Sequence, residues 1–92
     1  MTDISEIQIG LDKALEYIKN SQFDDAIDEL KDNITKSDCS VCQYELSILV
    51  ADTNHNRDIC MLESDTCNME KEAVMEKISE LKKDLELAKE FM

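Results

Sequence analysis

Residues 39–67, CSVCQYELSILVADTNHNRDICMLESDTC, contain all four cysteines of the chain, its only histidine (His55) and its only arginine (Arg57). Within them Val41, Cys42, Tyr44, Leu46, Ile48, Leu49, Val50 and Ala51 form the most apolar run in the sequence. A helix apolar on nearly every side belongs in the middle of its fold. The stretch therefore predicts a central helix over 39–52, with Ser37 and Asp38 as its start residues. Asp52 to Asp58 reads as a polar turn. Beyond it Ile59, Met61 and Leu62 are apolar but Ser64, Asp65 and Thr66 break the pattern, so 53–67 is expected to be irregular and cysteine-rich.

The flanks read as scaffolding for this middle. On the N-terminal side Ser5 and Gln8 have capping-box spacing, and Ile4, Ile7, Leu11, Ala14, Leu15 and Ile18 recur at helical intervals, predicting a helix over 4–19. Asn20 suits a left-handed C-terminal position and Ser21 an N-cap, so a very short turn leads into a second helix over 22–36. Its inner face would be Phe23, Ala26, Ile27, Leu30 and Ile34. Asp24, Asp25, Asp28 and Glu29 form a solvated face whose first carboxylates favour the helix N-terminus. On the C-terminal side Asn68 can cap a last helix. There Val74, Ile78, Leu81, Leu85, Ala88 and Met92 follow the alternating fours and threes of a coiled-coil seam. This seam is expected to pack on the other helices, while Met75, Leu87 and Phe91 beside it offer a homodimer contact.

The fold class expected is thus all-α: one compact four-helix bundle over 1–92, with the irregular cysteine-rich segment between helices 3 and 4. It divides into a helical hairpin (1–37), the central helix and cysteine segment (38–67) and an amphipathic helix (68–92). The absence of proline and the single glycine, Gly10, agree with this. At 92 residues the core is modest, and a cross-link or metal would matter to it.

Twenty-two acidic and ten basic side chains give a net charge of −12, and no third of the chain is basic. Nucleic-acid affinity depends on phosphate neutralisation by Lys and Arg, so this balance excludes DNA and RNA as partners and disfavours anionic lipid. No cationic stretch followed by an apolar one opens the chain, and no window is apolar for long enough to span a membrane. The expectation is a cytoplasmic protein whose partners are other proteins, itself, basic segments or divalent cations. With one glycine there is no phosphate-cradling loop, and with one histidine no multi-histidine metal chemistry, so the role expected is structural or regulatory rather than enzymatic.

Four cysteines in a reducing compartment are ligands, redox groups or core residues more often than disulfides. Cys39 and Cys42 stand three apart at a helix start, on one face and near a dipole end that lowers thiol pKa. If the chain turns back near Asn54, Cys67 approaches Cys42. A Cys-x2-Cys pair with two later cysteines then supplies four soft ligands for zinc. The metal site expected is Cys39, Cys42, Cys60 and Cys67, with His55 as substitute ligand. The alternatives are a thiol redox pair at Cys39 and Cys42, or cysteines joined in disulfides that staple the helices.

Three resemblances accompany this reading. YIKNSQFDDAIDELKDNI, residues 17–34, resembles the turn and second helix of a tetratricopeptide repeat, with Phe23, Ala26 and Ile27 at its packing positions. It lacks the closing proline and a second copy, and implies the hairpin geometry alone. Cys39, Cys42, His55 and Cys60 resemble a zinc finger whose last histidine is replaced by cysteine. Asp52, Asn54, Asn56, Asp58, Ile59 and Glu63 resemble an EF-hand calcium loop at positions 1, 3, 5, 7, 8 and 12, although Arg57 stands where that family needs glycine.

Overall fold

A computed structural model describes residues 4–62 and 64–90. Four helices account for nearly all of them: α1 (Ile4–Lys19), α2 (Phe23–Lys36), α3 (Ser40–Leu62) and α4 (Ser64–Glu90). The all-α four-helix fold expected from the sequence is the one observed; α1 has the expected bounds, and α2 begins one residue later than expected, with Gln22 and not Ser21 at its N-cap.

The first turn shows how the chain reverses without glycine or proline. Ser21 takes the left-handed conformation at φ 62°, one residue later than the sequence suggests. Its N–H donates to the Ile18 carbonyl at 3.0 Å and that of Gln22 to Tyr17 at 2.7 Å. This paired 5→2 and 6→1 arrangement closes the C-terminus of α1 as a Schellman motif. Lys71 of α4 donates to the Lys19 carbonyl at 3.3 Å and to the Ser21 hydroxyl at 3.1 Å, placing a cation at that negative helix end.

Side-chain pairs fix an up-down-up-down order. Gln8 of α1 reaches the Lys82 carbonyl and Glu86 of α4. Arg57 of α3 meets Asp24 of α2 at 2.6 Å, and Lys77 of α4 meets Asp52 of α3 at 2.8 Å. Lys82 pairs with Asp12. Each helix packs on its two neighbours around the ring, and the diagonal pairs make no close backbone approach. The core is one seam from each helix, led by Leu11, Ala14 and Ile18, Ala26 and Leu30, Leu46 and Leu49, and Val74, Ile78 and Leu85. Phe23, Ala26 and Ile27 are buried, as the hairpin resemblance implies.

Two expectations are corrected. The segment 53–67 is not irregular: α3 runs on to Leu62 and α4 begins at Ser64, with Asn68 inside it. Nothing between Asp52 and Leu62 breaks a helix, and Thr53, Asn56 and Cys60 continue the inward interval set by Leu46 and Leu49. Second, α3 is not surrounded. It packs on α2 and α4 alone, and Val41, Tyr44 and Ile48 face solvent. The α4 seam packs within the bundle as expected, with Val74, Ile78 and Leu85 buried. Leu87 is exposed, and Phe91 and Met92 lie outside the described residues.

The two helical hairpins differ in length. At 1.5 Å per residue α3 and α4 reach about 35 and 40 Å, against about 24 and 21 Å for α1 and α2. Arg57 and Lys71 are already level with the α1–α2 turn, so the α3–α4 hairpin extends about 8 Å beyond it. Among the described residues no helix is long and apolar enough to cross a membrane.

Candidate functional site

The cysteines separate into two pairs at opposite ends of α3. Cys39 immediately precedes the helix. Its carbonyl accepts from the Gln43 N–H at 2.9 Å, the first bond of α3, and its sulfur accepts from the Cys42 N–H at 3.2 Å. A side-chain acceptor on the third amide of a helix is an N-cap, here made with sulfur where serine or aspartate is usual. The position is held from behind: the Cys39 N–H donates to the Ser37 hydroxyl at 3.2 Å, and the Gln43 amide donates to the Ser37 carbonyl at 2.7 Å.

The two thiols are electrostatically unlike. Cys39 is exposed and Cys42 is buried. The hydrogen bond from Cys42, with the backbone N–H groups of Cys42 and Val41 behind it, holds the Cys39 thiol below its ordinary 9.0. Burial first, then the hydrogen bond and charge of Cys39, push Cys42 up to about 11. A solvent-facing sulfur that favours the thiolate thus sits beside a covered one that keeps its proton.

At the other end Cys60 and Cys67 form a disulfide, their Cα atoms 4.5 Å apart across the α3–α4 hairpin. Asn56 lies one turn below, fully buried, its amide donating to Cys60 Sγ at 3.5 Å and to the Cys67 carbonyl at 3.4 Å. Thr53, equally buried, donates to the Leu49 carbonyl at 2.7 Å. The inward seam of α3 therefore turns polar past Leu49 and ends in a covalent bond.

This geometry does not gather the four cysteines into the expected zinc site. Cys42 and Cys60 are eighteen residues apart on one unbroken helix, a rise of about 27 Å. His55, the substitute ligand, is exposed and about 20 Å along the helix from Cys42. Among the described residues no group of three or more His, Cys, Asp or Glu side chains could hold a metal ion. The calcium-loop resemblance fails for a related reason. Residues 52, 54, 56 and 58 are helical, and positions two apart on a helix point about 200° away from each other. Asp52 is paired with Lys77 and Asn56 is buried, while Glu63 lies outside the described residues.

No protein-family model, curated protein or solved structure matches the chain. What the site can do is therefore argued from its own atoms. Sequence reading placed Asn56 in a calcium loop and passed over Gln43, the two amides that bond at the disulfide end and the thiol end. For Asn56 a signal exists, since it falls on the interval Leu46, Leu49, Thr53, Asn56, Cys60. For Gln43 none does.

Proposed function

We propose that this protein is a small, disulfide-stapled helical thiol protein in which Cys39 and Cys42 exchange with disulfides of other molecules. The observation that supports it is the asymmetric pair: an exposed sulfur accepting the Cys42 N–H at 3.2 Å, next to a buried thiol. The spacing is suitable, because residues three apart on a helix bring their Cβ atoms within about 5–6 Å, close enough for a disulfide after modest adjustment.

The exchange needs a partner disulfide and no other co-reactant. The Cys39 thiolate attacks one partner sulfur, forming a mixed disulfide and expelling the other as a thiolate, which takes up a proton. Cys42 then loses its proton and attacks Cys39 Sγ. The Cys39–Cys42 disulfide forms and the first partner sulfur leaves as a thiolate and is protonated. The partner is reduced by two electrons and the pair is oxidised by two. Burial of Cys42 directs the first attack to Cys39, and the expelled thiolate of Cys39 is a good leaving group should the pair be reduced again.

Intact mass after incubation with oxidised glutathione tests the scheme. The parent chain should end two hydrogens lighter with no adduct, Cys42→Ser should stop with one glutathione on Cys39, and Cys39→Ser should acquire none. The pH profile carries the sign. Cys39 alkylation should persist to lower pH than that of a thiol at 9.0, whereas Cys42 should react only as pH climbs toward about 11. Equal alkylation of the two thiols at neutral pH, or a glutathione adduct that persists on the parent, would contradict the proposal.

A further inference from the structure

The outer face of α3 carries a second periodic seam that nothing in the bundle covers. Val41, Tyr44, Ile48, Ala51, His55 and Leu62 follow steps of three and four, with Asp58 at the one remaining position between His55 and Leu62. They lie opposite the inward line of Cys42, Leu46, Leu49, Thr53 and Asn56. Val41 is 69% exposed, Tyr44 66% and Leu62 84%, and Ile48 is open at 37%. From Val41 to Leu62 the stripe runs about 32 Å, six turns of helix. Half of the large exposed apolar side chains among the described residues stand on it, and steps of this kind are how a helix presents itself to another helix.

The rims say what kind of helix. On the α4 side a groove of about 230 Å³ opens beside Ile48, with Leu49 and Leu81 in its floor. Glu45, Glu80 and Asp84 stand around it. Its one basic group, Lys77, is held by Asp52 at 2.8 Å. The only basic residue of α3, Arg57, is turned toward α2 and held by Asp24 at 2.6 Å. Asp58, on the stripe itself, lies 3.8 Å from Arg57 Nε and is partly neutralised by it. An apolar track with Glu45, Glu80 and Asp84 along its α4 side is complementary to an amphipathic helix that carries Lys or Arg beside its apolar stripe. It is poorly matched to a second copy of this chain, which would bring the same acidic edges and a net charge of −12 against it.

We infer that the outer face of α3 is a docking surface for a basic amphipathic helix of another protein. The inference is independent of the thiol chemistry at Cys39. Two synthetic helical peptides of 21 residues serve as probes on the full chain, both with leucine at seam positions, one with lysine and one with glutamate on the flanks. Fluorescence anisotropy should show binding of the lysine peptide only, weakening as salt is raised. Tyr44→Ser and Ile48→Ser should each lower affinity about tenfold, a ratio expected when one apolar contact is lost. Ile9→Ser, at an exposed apolar residue of α1, should leave affinity unchanged and so separates docking from general attraction to an acidic surface. Tyr44 is mostly solvent-facing, so its replacement does not endanger folding. Equal binding by the parent and both seam variants, or binding of the glutamate peptide, would overturn the inference. A parent that sediments as a dimer, and that Ile48→Ser returns to a monomer, would overturn it in favour of a second copy.

Discussion

Replacing both Cys60 and Cys67 by serine should lower stability by an amount that the hairpin geometry sets. The bond closes a loop with a sequence separation of 7. A loop that short costs the unfolded chain about 8 cal/mol/K of entropy, or about 2.4 kcal/mol at 25 °C. For a domain of this size each kcal/mol moves the thermal midpoint by about 4–8 °C, so a fall of about 10–20 °C is expected in a circular-dichroism melt. The loss should also be local. Past Arg57 and before Lys71 the two long helices extend beyond the α1–α2 turn, where the bridge and the Asn56 hydrogen bond link them. Amides of residues 58–70 should therefore exchange much faster in the variant, while those of Leu11, Ile18 and Leu30 follow the global change alone. A midpoint within a few degrees of the parent, with the tip amides still protected, would show that the hairpin is held by packing and that the entropy argument is wrong.

Ser21→Gly should raise the thermal midpoint by several degrees, because a left-handed residue other than glycine costs about 1 kcal/mol and Ser21 is the one such residue described. A lowered midpoint would mean that the Lys71 bond to its hydroxyl outweighs the conformational gain. Gly10→Ala should destabilise by about 1–2 kcal/mol in urea titrations despite better helix propensity, since a Cβ there falls on the buried Asn33 carboxamide. Asn33→Ala, which removes a buried amide with no hydrogen-bond partner for its nitrogen, should cancel that cost; additive losses in the double variant would refute the contact.

The ends of the chain were easier to read than its middle, for a physical reason. In α1 and α2 the inward residues are apolar except where Asn33 meets Gly10, and most outward ones are polar, so periodicity and burial nearly coincide. In α3 they diverge. Thr53 and Asn56 look like turn residues by composition, yet they point inward because each finds a hydrogen bond there, Thr53 to Leu49 and Asn56 to Cys67. Val41, Tyr44 and Ile48 look like core residues, yet they point outward. A helix with a polar inner end and an apolar outer face has no clear polarity, which is how a flanking helix came to look central. The disulfide was legible in principle. Counting the α4 seam back from Val74 by a heptad lands on Cys67, and counting the α3 line forward from Leu49 through Thr53 and Asn56 lands on Cys60. Two cysteines that face each other across a hairpin are partners, and only the supposed turn at 52–58 hid this.

Why one pair is joined and the other free depends on the part each sulfur plays in its helix. Folding brings Cys60 and Cys67 to facing positions, so the bond that restricts the unfolded chain fits the folded one, and by linkage the folded hairpin stabilises the bond in return. Cys39 is in the reverse situation. Its sulfur caps α3, accepting from the Cys42 N–H at the positive end of the helix. A disulfide to Cys42 would alter that acceptor, so the first turn of α3 is coupled to the state of the pair. The two ends of this helix thus use their sulfurs differently. The difference comes from position along the helix: two sulfurs on facing seams tie two elements together, whereas two sulfurs within the first turn compete with the backbone for the role of cap.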